Sequence, residues 1–319
     1  MTMSQTRLIL VLVLLTAFIC LVVAPVSALT VADTIAAATP GSTVTIPAGT
    51  VKEHNIVIDK PITLIGEGVT VDAEYQGSAF VVKADNVKIS GITTINTATA
   101  KRFGENDIKR GKEGEPDEIV LTYAAPVAAV EVYGNNAELS GLTLTEPFIG
   151  IRSYNAKNGV VSSCDIVSAE LNGIRLEYSS HDWTISSVTI SGTGADAISI
   201  MGSFAFPTVN TAIYGNTITS SGVRGVTLVG VSNSQIRSNT ITENGDIGVW
   251  VDYTTTGSTI RENTFENSQG KKLATSGDVH VAVPKGGSFD IGSNNMRDAP
   301  GGMAKGIFEF FGWGVIQYE

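Results

Sequence analysis

The feature that most limits what this chain can fold into is a short apolar strand that keeps returning, at Gly150, Gly173, Ala197, Gly225, Gly248 and Asp278. The steps between these starts are 23, 24, 28, 23 and 30 residues. With a period in the low twenties no repeat can bury its own apolar face, so the repeats must stack. Each repeat reads as three short strands. In the first strand apolar and polar residues alternate, as in Ile174-Arg175-Leu176-Glu177 and Val249-Trp250-Val251-Asp252, which turns one face inward. The second and third strands share the pattern apolar-x-x-Asn-x-apolar, running from Ile213 to Ile218, Ile236 to Ile241, Ile260 to Phe265 and Ile291 to Met296. Stacked like on like, Asn216, Asn239, Asn263 and Asn294 fall above one another at an inward turn, where their amides can satisfy buried backbone groups. Upstream the same slot holds Ile92, Leu142, Cys164 and Val188, so Cys164 reads as a small buried hydrophobe rather than a reactive thiol. A helical solenoid does not fit, because the repeats lack apolar spacing at 3.6 and are broken by Gly or Asn every few residues.

Composition agrees with an all-β chain. Charged residues make up 16% of the 319 positions and glycine contributes 34, which favours many turns over long helices laced with ion pairs. The 43% hydrophobic content excludes a disordered chain. A net charge of −10 excludes attraction to a nucleic-acid backbone as the route to a partner.

The N-terminal stretch from Val31 to Gly49 (VADTIAAATPGSTVTIPAG) reads as a short helix, a Pro-Gly turn and a first strand. With Ile56 to Gly66 (IVIDKPITLIG) and the repeats, it resembles the right-handed parallel β-helix proteins. The likeness is to the secreted NosD-like repeat group and the wider pectate-lyase-like superfamily, over about Val31 to Arg297. The resemblance implies a single-stranded right-handed parallel β-helix with coils near 23 residues, an N-terminal capping helix and a C-terminal cap. On activity it is nearly silent, because lyases, hydrolases, epimerases, adhesins and structural spikes share the scaffold. The uronate epimerases of that superfamily carry Asp-Pro-His-Asp after the first strand. The matching stretch here is Ser179-Ser180-His181-Asp182, which keeps His181 and Asp182 and loses the leading Asp and Pro. Copper handling, which the name NosD implies, needs clustered ligands, whereas His54, His181, His280 and Cys164 are scattered over different coils.

Four segments follow. Residues 1–28 read as a secretory signal peptide, with an apolar run after Arg7 and a small-residue cleavage site ending at Ala28; left uncleaved, the same run is an N-terminal anchor. Residues 29–300 form the β-helix, with a charged insertion over 97–126 that loops out either as a solvated excursion or as a flap over the lateral face. Residues 301–319 form an aromatic C-terminal cap, with a membrane-binding tail as the alternative. The expected location is secreted or cell-surface, with no membrane span once the signal is removed.

The outward positions of the first strand line up in two columns. One runs Val81, Glu131, Arg152, Arg175, Ser199, Thr227, Trp250, His280; the other includes Tyr133, Tyr154, Glu177 and Asp252. Two groups emerge as glycan-binding candidates. Arg152, Tyr154, Arg175 and Glu177 combine guanidinium forks with a carboxylate, and Trp250, Asp252 and His280 combine an aromatic face with polar groups. The plainer alternative is that Glu131 with Arg152, or Arg175 with Glu177, are ordinary cross-strand charge pairs. Arg175, Glu177 and His181 are the only catalytic candidates, and no complete catalytic motif accompanies them. No cofactor is required, while calcium is compatible with the acidic run Glu113, Glu115, Asp117 and Glu118. The function expected is binding of cell-surface or extracellular polysaccharide along the lateral groove, with a polysaccharide-modifying enzyme and a purely structural envelope protein as alternatives.

Overall fold

The computed structural model describes residues 30–97, 108–109, 118–119, 128–202, 207–252, 254–266, 279–281, 288–297, 307–309 and 315–317. The segment read as a signal peptide, most of the charged insertion and most of the aromatic tail lie outside these residues. Of the insertion, residues 108–109 and 118–119 form a two-stranded antiparallel ladder. The chain divides into two compact units, Met1–Thr30 and Val31–Glu319, and the second is the β-solenoid.

The coils from Ala128 to Arg297 each contribute one strand to a 10-stranded sheet and two to a 19-stranded sheet, while in the two coils before them a single longer strand, Thr63–Asp72 or Lys88–Ile95, takes both places; strand pairing within both sheets is parallel throughout. One coil consists of Ile149–Tyr154, Val160–Ser162 and Asp165–Val167, and the next stacks on it in register at all three strands. The inward residues of the three strands form one continuous apolar stack, including Ile151, Val161 and Ile166 in this coil and Ile174, Ile185 and Ile190 in the next. Trp183 is the largest fully buried side chain. Its indole N–H donates to Ala156 O at 2.8 Å, and its ring lies where a Cβ on Gly159 would stand, 2.4 Å away. Glycine at 159 is therefore the space that the tryptophan fills.

The glycines that open the first strand have a related cause. A Cβ at Gly173 would meet Ile190 Cγ2 at 2.7 Å, and one at Gly225 would meet Ile241 Cγ2 at 2.5 Å. The two walls of the coil approach too closely there for a side chain between them.

A single residue in the left-handed region turns the chain between the second and third strands. That column runs Gly141, Ser163, Ser187, Gly215, Ser238, Glu262 and Ser293, with φ between 52° and 65°. Each residue directly precedes the inward slot. In that slot Leu142, Cys164 and Val188 are buried, followed by Asn216, Asn239 and Asn263 at 2% exposure or less. Asn239 Nδ2 donates to Ile213 O and to Asn263 Oδ1, both at 2.9 Å, while its Oδ1 accepts the backbone N–H and side-chain N–H of Asn216 at 3.0 and 2.9 Å. Asn263 and Asn294 continue the ladder with the same bonds. At the other end Asn216 Oδ1 accepts Val188 N–H at 2.9 Å. Burial pushes the Cys164 thiol up to about 11, so it stays protonated and unreactive.

The helix Val31–Ala37 packs Val31 and Ile35 into the same core. The Glu53 carboxylate accepts Val31 N–H at 2.6 Å and Ala32 N–H at 3.0 Å, and Lys60 Nζ donates to Ala36 O and Ala38 O at 2.7 and 3.2 Å. An acid at the N-terminus and a base at the C-terminus match the helix dipole, which fixes this short helix on the first coil.

Asn239→Ala removes one rung and leaves the Ile213 carbonyl and the Asn216 amide buried without it. The expected loss in a urea unfolding experiment is about 3 kcal/mol, well above the loss expected from Asn158→Ala, whose exposed side chain donates from Nδ2 to Asn136 Oδ1 at 3.0 Å.

Candidate functional site

The register of the 10-stranded sheet places Glu131 opposite Arg152, Arg152 opposite Arg175, and Tyr154 opposite Glu177. Stacking alone sets neighbouring coils about 4.8 Å apart, close enough for these side chains to join. Arg152 Nη2 and Nε both lie 2.6 Å from Glu177 Oε2, and Nη1 lies 3.6 Å from Glu131 Oε2. Arg175 Nε lies 2.6 Å from Glu177 Oε1; the N–H is poorly aligned with that oxygen, so the contact is one of charge. The cross-strand pairs read from the sequence thus merge into one chain, Glu131–Arg152–Glu177–Arg175. Its Glu131 end is fully buried and also accepts Ala128 N–H at 3.0 Å and Tyr133 O–H at 3.4 Å. Burial opposes the charge on Arg152, but Glu131 and Glu177 outweigh it and hold the guanidinium above its usual range.

Beside this chain stand three tyrosines on consecutive coils. Tyr133, Tyr154 and Tyr178 are exposed at 42, 37 and 47%. Ring centroids are 6.4 Å apart for the first pair and 4.5 Å for the second, tilted by 47° and 48°. The Arg152 guanidinium lies 5.7 Å from the Tyr154 centroid. Burial, then the neighbouring Glu131 charge, raises the Tyr133 hydroxyl above its ordinary value, so it remains a neutral donor. Tyr178 has φ 50°. At the matching position on the coil before, Asn155 has φ 56°, a residue type that such turns favour.

The other singled-out residues are engaged differently. Trp250 is half-buried, and the Arg224 guanidinium covers one face of its ring at 4.3 Å from the centroid. Asp252 is 7% exposed and braces its own turn: Oδ1 accepts from Gly230 N, Thr254 N and Oγ1, and Thr255 Oγ1 at 2.7 to 3.2 Å. His280 lies opposite Trp250 by backbone register. His181 Nδ1 accepts Val209 N–H at 3.2 Å, and Asp182 Oδ1 accepts Asn210 Nδ2 at 2.9 Å. Ser180 Oγ donates to Glu177 O at 2.7 Å. The Ser179–Asp182 stretch is therefore a hydrogen-bonded corner of the coil. The first outward column is also less open than alternation implies, because Val81, Glu131, Ser199 and Thr227 are all buried. Sequence reasoning passed over Asp196 and Arg224, which follow on from the ionic chain; burial raises the Asp196 carboxyl, only partly offset by Arg224 and Arg175. It also passed over Tyr178, which stands just past the strand end where alternation no longer assigns a direction. Among the described residues no three His, Cys, Asp or Glu side chains converge on a metal-ligand group, and the acidic positions 113, 115 and 117 lie outside them.

With this geometry established, a family model described as right handed beta helix region matches residues 149–294. The chain is a right-handed parallel β-helix. The matched model covers the β-helix region as such and does not single out the NosD-like group. Among solved structures, this β-helix is similar to an alginate lyase from Paenibacillus sp. str. FPU-7 at 16% identity and TM-score 0.64, covering 88% of this chain and 95% of that one. It is similar to the exopolygalacturonase of Thermotoga maritima at 16% identity and TM-score 0.59, over 88% and 83% of the two chains. The likeness to endopolygalacturonase I from Stereum purpureum is at 15% identity and TM-score 0.54, over 92% and 98%. At these identities the likeness is one of fold. No curated protein sequence matches the chain.

Two outcomes follow from the β-helix's own contacts. Arg152→Ala removes the guanidinium that faces buried Glu131 and nearly buried Glu177 and is expected to cost about 3 kcal/mol or more in denaturant unfolding, whereas Arg175→Ala, at the more exposed end, costs far less. His181 must be neutral to accept the Val209 amide, and burial followed by the Lys157 charge holds its folded-state value below 6.5. A lowered histidine contributes stability that is present above its unfolded value and lost as pH falls through the folded one. Thermal stability should therefore drop on acidification from neutral, and His181→Asn, whose Oδ1 accepts the same amide, should flatten that part of the profile.

Proposed function

We propose that this β-helix is an exported polysaccharide-binding protein that holds its ligand across the edge formed by Tyr133, Tyr154 and Tyr178. The observation that carries the reading is the exposed tyrosine ladder. Three large rings on consecutive coils leave 37–47% of their surface open to solvent, and Tyr178 adopts a backbone conformation that costs a bulky residue about 1–2 kcal/mol. An amphipathic ring presented to solvent at such a cost fits a surface that stacks on sugar faces and hydrogen-bonds their hydroxyls. The fixed chain of Arg152, Glu177 and Arg175 alongside supplies polar groups held in place before the ligand arrives.

Binding fits better than catalysis because both oxygens of Glu177 are engaged by arginines and Glu131 is fully buried. Neither carboxylate stands free beside the tyrosines in the manner that a paired-carboxylate hydrolase requires. The similar solved structures named as polygalacturonases and alginate lyase support a polysaccharide as partner through the shared scaffold. Export fits the leader-like apolar run of residues 1–28, and no helix among the described residues is long and apolar enough to cross a membrane.

The test is affinity electrophoresis of the purified protein through gels carrying single polysaccharides. Tyr154→Ala and Tyr178→Ala should each weaken retardation by about 1 kcal/mol while leaving unfolding midpoints near wild type. Appearance of new reducing or unsaturated ends that vanish in Glu177→Ala would replace this reading with an enzymatic one.

A further inference from the structure

We infer that the ligand of this edge is an uncharged polysaccharide rather than an acidic one. The inference rests on the binding reading above and specifies its substrate class.

Arginines on a β-helix flank look at first like a site for carboxylated sugars. Here they are already matched by the protein's own carboxylates. The chain Glu131–Arg152–Glu177–Arg175 holds two formal positive and two formal negative charges. Arg152, with its side chain 13% exposed, lies between the two acids, and Glu177, at 11%, engages one arginine with each oxygen. A sugar carboxylate brought to this floor loses its hydration, and to gain the Arg152 guanidinium it must displace a protein carboxylate that is itself nearly buried. The exchange returns one ion pair for another and strands Glu177. Over longer range the sequence carries −10, which repels polyanions.

The most exposed groups of the edge are neutral, the Arg175 side chain being 25% exposed and held by the Glu177 charge. The tyrosine hydroxyls and ring faces at 133, 154 and 178 are the exposed part of the edge, and the two rings at 154 and 178 lie 4.5 Å apart. That pairing offers apolar area and neutral hydrogen bonds, the complement of hexose or pentose units without acid groups.

The experiment compares retardation of the whole purified protein in gels carrying neutral β-glucan, mannan or xylan with retardation in gels carrying polygalacturonate or alginate, at low and high salt. The expected result is retardation by at least one neutral polymer, independent of salt and reduced several-fold in Tyr154→Ala, with no retardation by either acidic polymer. Glu177→Gln releases Arg152 and Arg175 from their shared carboxylate, so this variant should gain salt-sensitive retardation by the acidic polymers of tenfold or so. Retardation of the wild type by acidic polymers alone, lost in Tyr154→Ala, overturns the neutral assignment and leaves the tyrosine edge as the binding site. Retardation by no polymer overturns the binding reading and this inference with it. The wild-type comparison decides the matter even if Glu177→Gln does not fold.

Discussion

Everything in this molecule depends on the backbone hydrogen bonds that tie each coil to the next in register. A coil bonds only to its two neighbours, so any feature placed on one coil is brought within about 5 Å of the equivalent position on the next. The arrangement turns local residue choices into columns. The corners must then fall in the same place on every coil, and the left-handed residues from Gly141 to Ser293 achieve this with one residue each. Most of them are serine or glutamate rather than glycine, and each such corner costs of order 1 kcal/mol. The inter-coil bonds made by these same residues, such as Ser163 N–H to Ser186 O at 3.2 Å, are what hold the corners in place.

The same stacking explains why buried asparagines are tolerated. An amide withdrawn from water without partners is destabilising. In a column each amide finds its partner one coil away, and Asn216, Asn239, Asn263 and Asn294 share their donors and acceptors in one direction along the axis. The apolar residues at Leu142, Cys164 and Val188 fill the slot earlier in the chain. The junction is closed where Asn216 Oδ1 accepts the Val188 amide, so the change from apolar to polar filling leaves that amide paired.

The solenoid was legible in the sequence because its signals are periodic. The returning strand starts, the two-residue alternation and the Asn spacing all report positions that recur on each coil, and the paired registers of the first strand follow the column from Val81 through Trp250 to His280. What alternation reports is direction, not coverage. Ser199 and Thr227 point away from the core and are still buried. Asp252 points outward and then bonds back to its own turn. Periodicity is also blind to residues at strand ends. The corner serines carry no glycine signature, and Tyr178 falls one residue past the last alternating position. The ionic chain was visible as separate pairs, but that Arg152 bridges Glu131 and Glu177 depends on side-chain reach across three coils, which spacing does not encode.

The tyrosine edge stands out because it gathers three exposed rings on consecutive coils. Most large apolar groups go inward, and the left-handed corners are mostly small or polar residues, Tyr75 and Tyr178 being bulky exceptions. At Tyr178 a bulky ring occupies a left-handed position held on the coil before by Asn155, and it stays 47% exposed. A scaffold selected only to stack is served by a small polar residue there, as Asn155 serves the coil before. The ionic chain beneath departs from the pattern in the opposite sense, by burying charge that an apolar pair of similar volume would replace at no loss. Strain above and satisfied charge below together produce a rigid edge that is aromatic on its surface and neutral in sum.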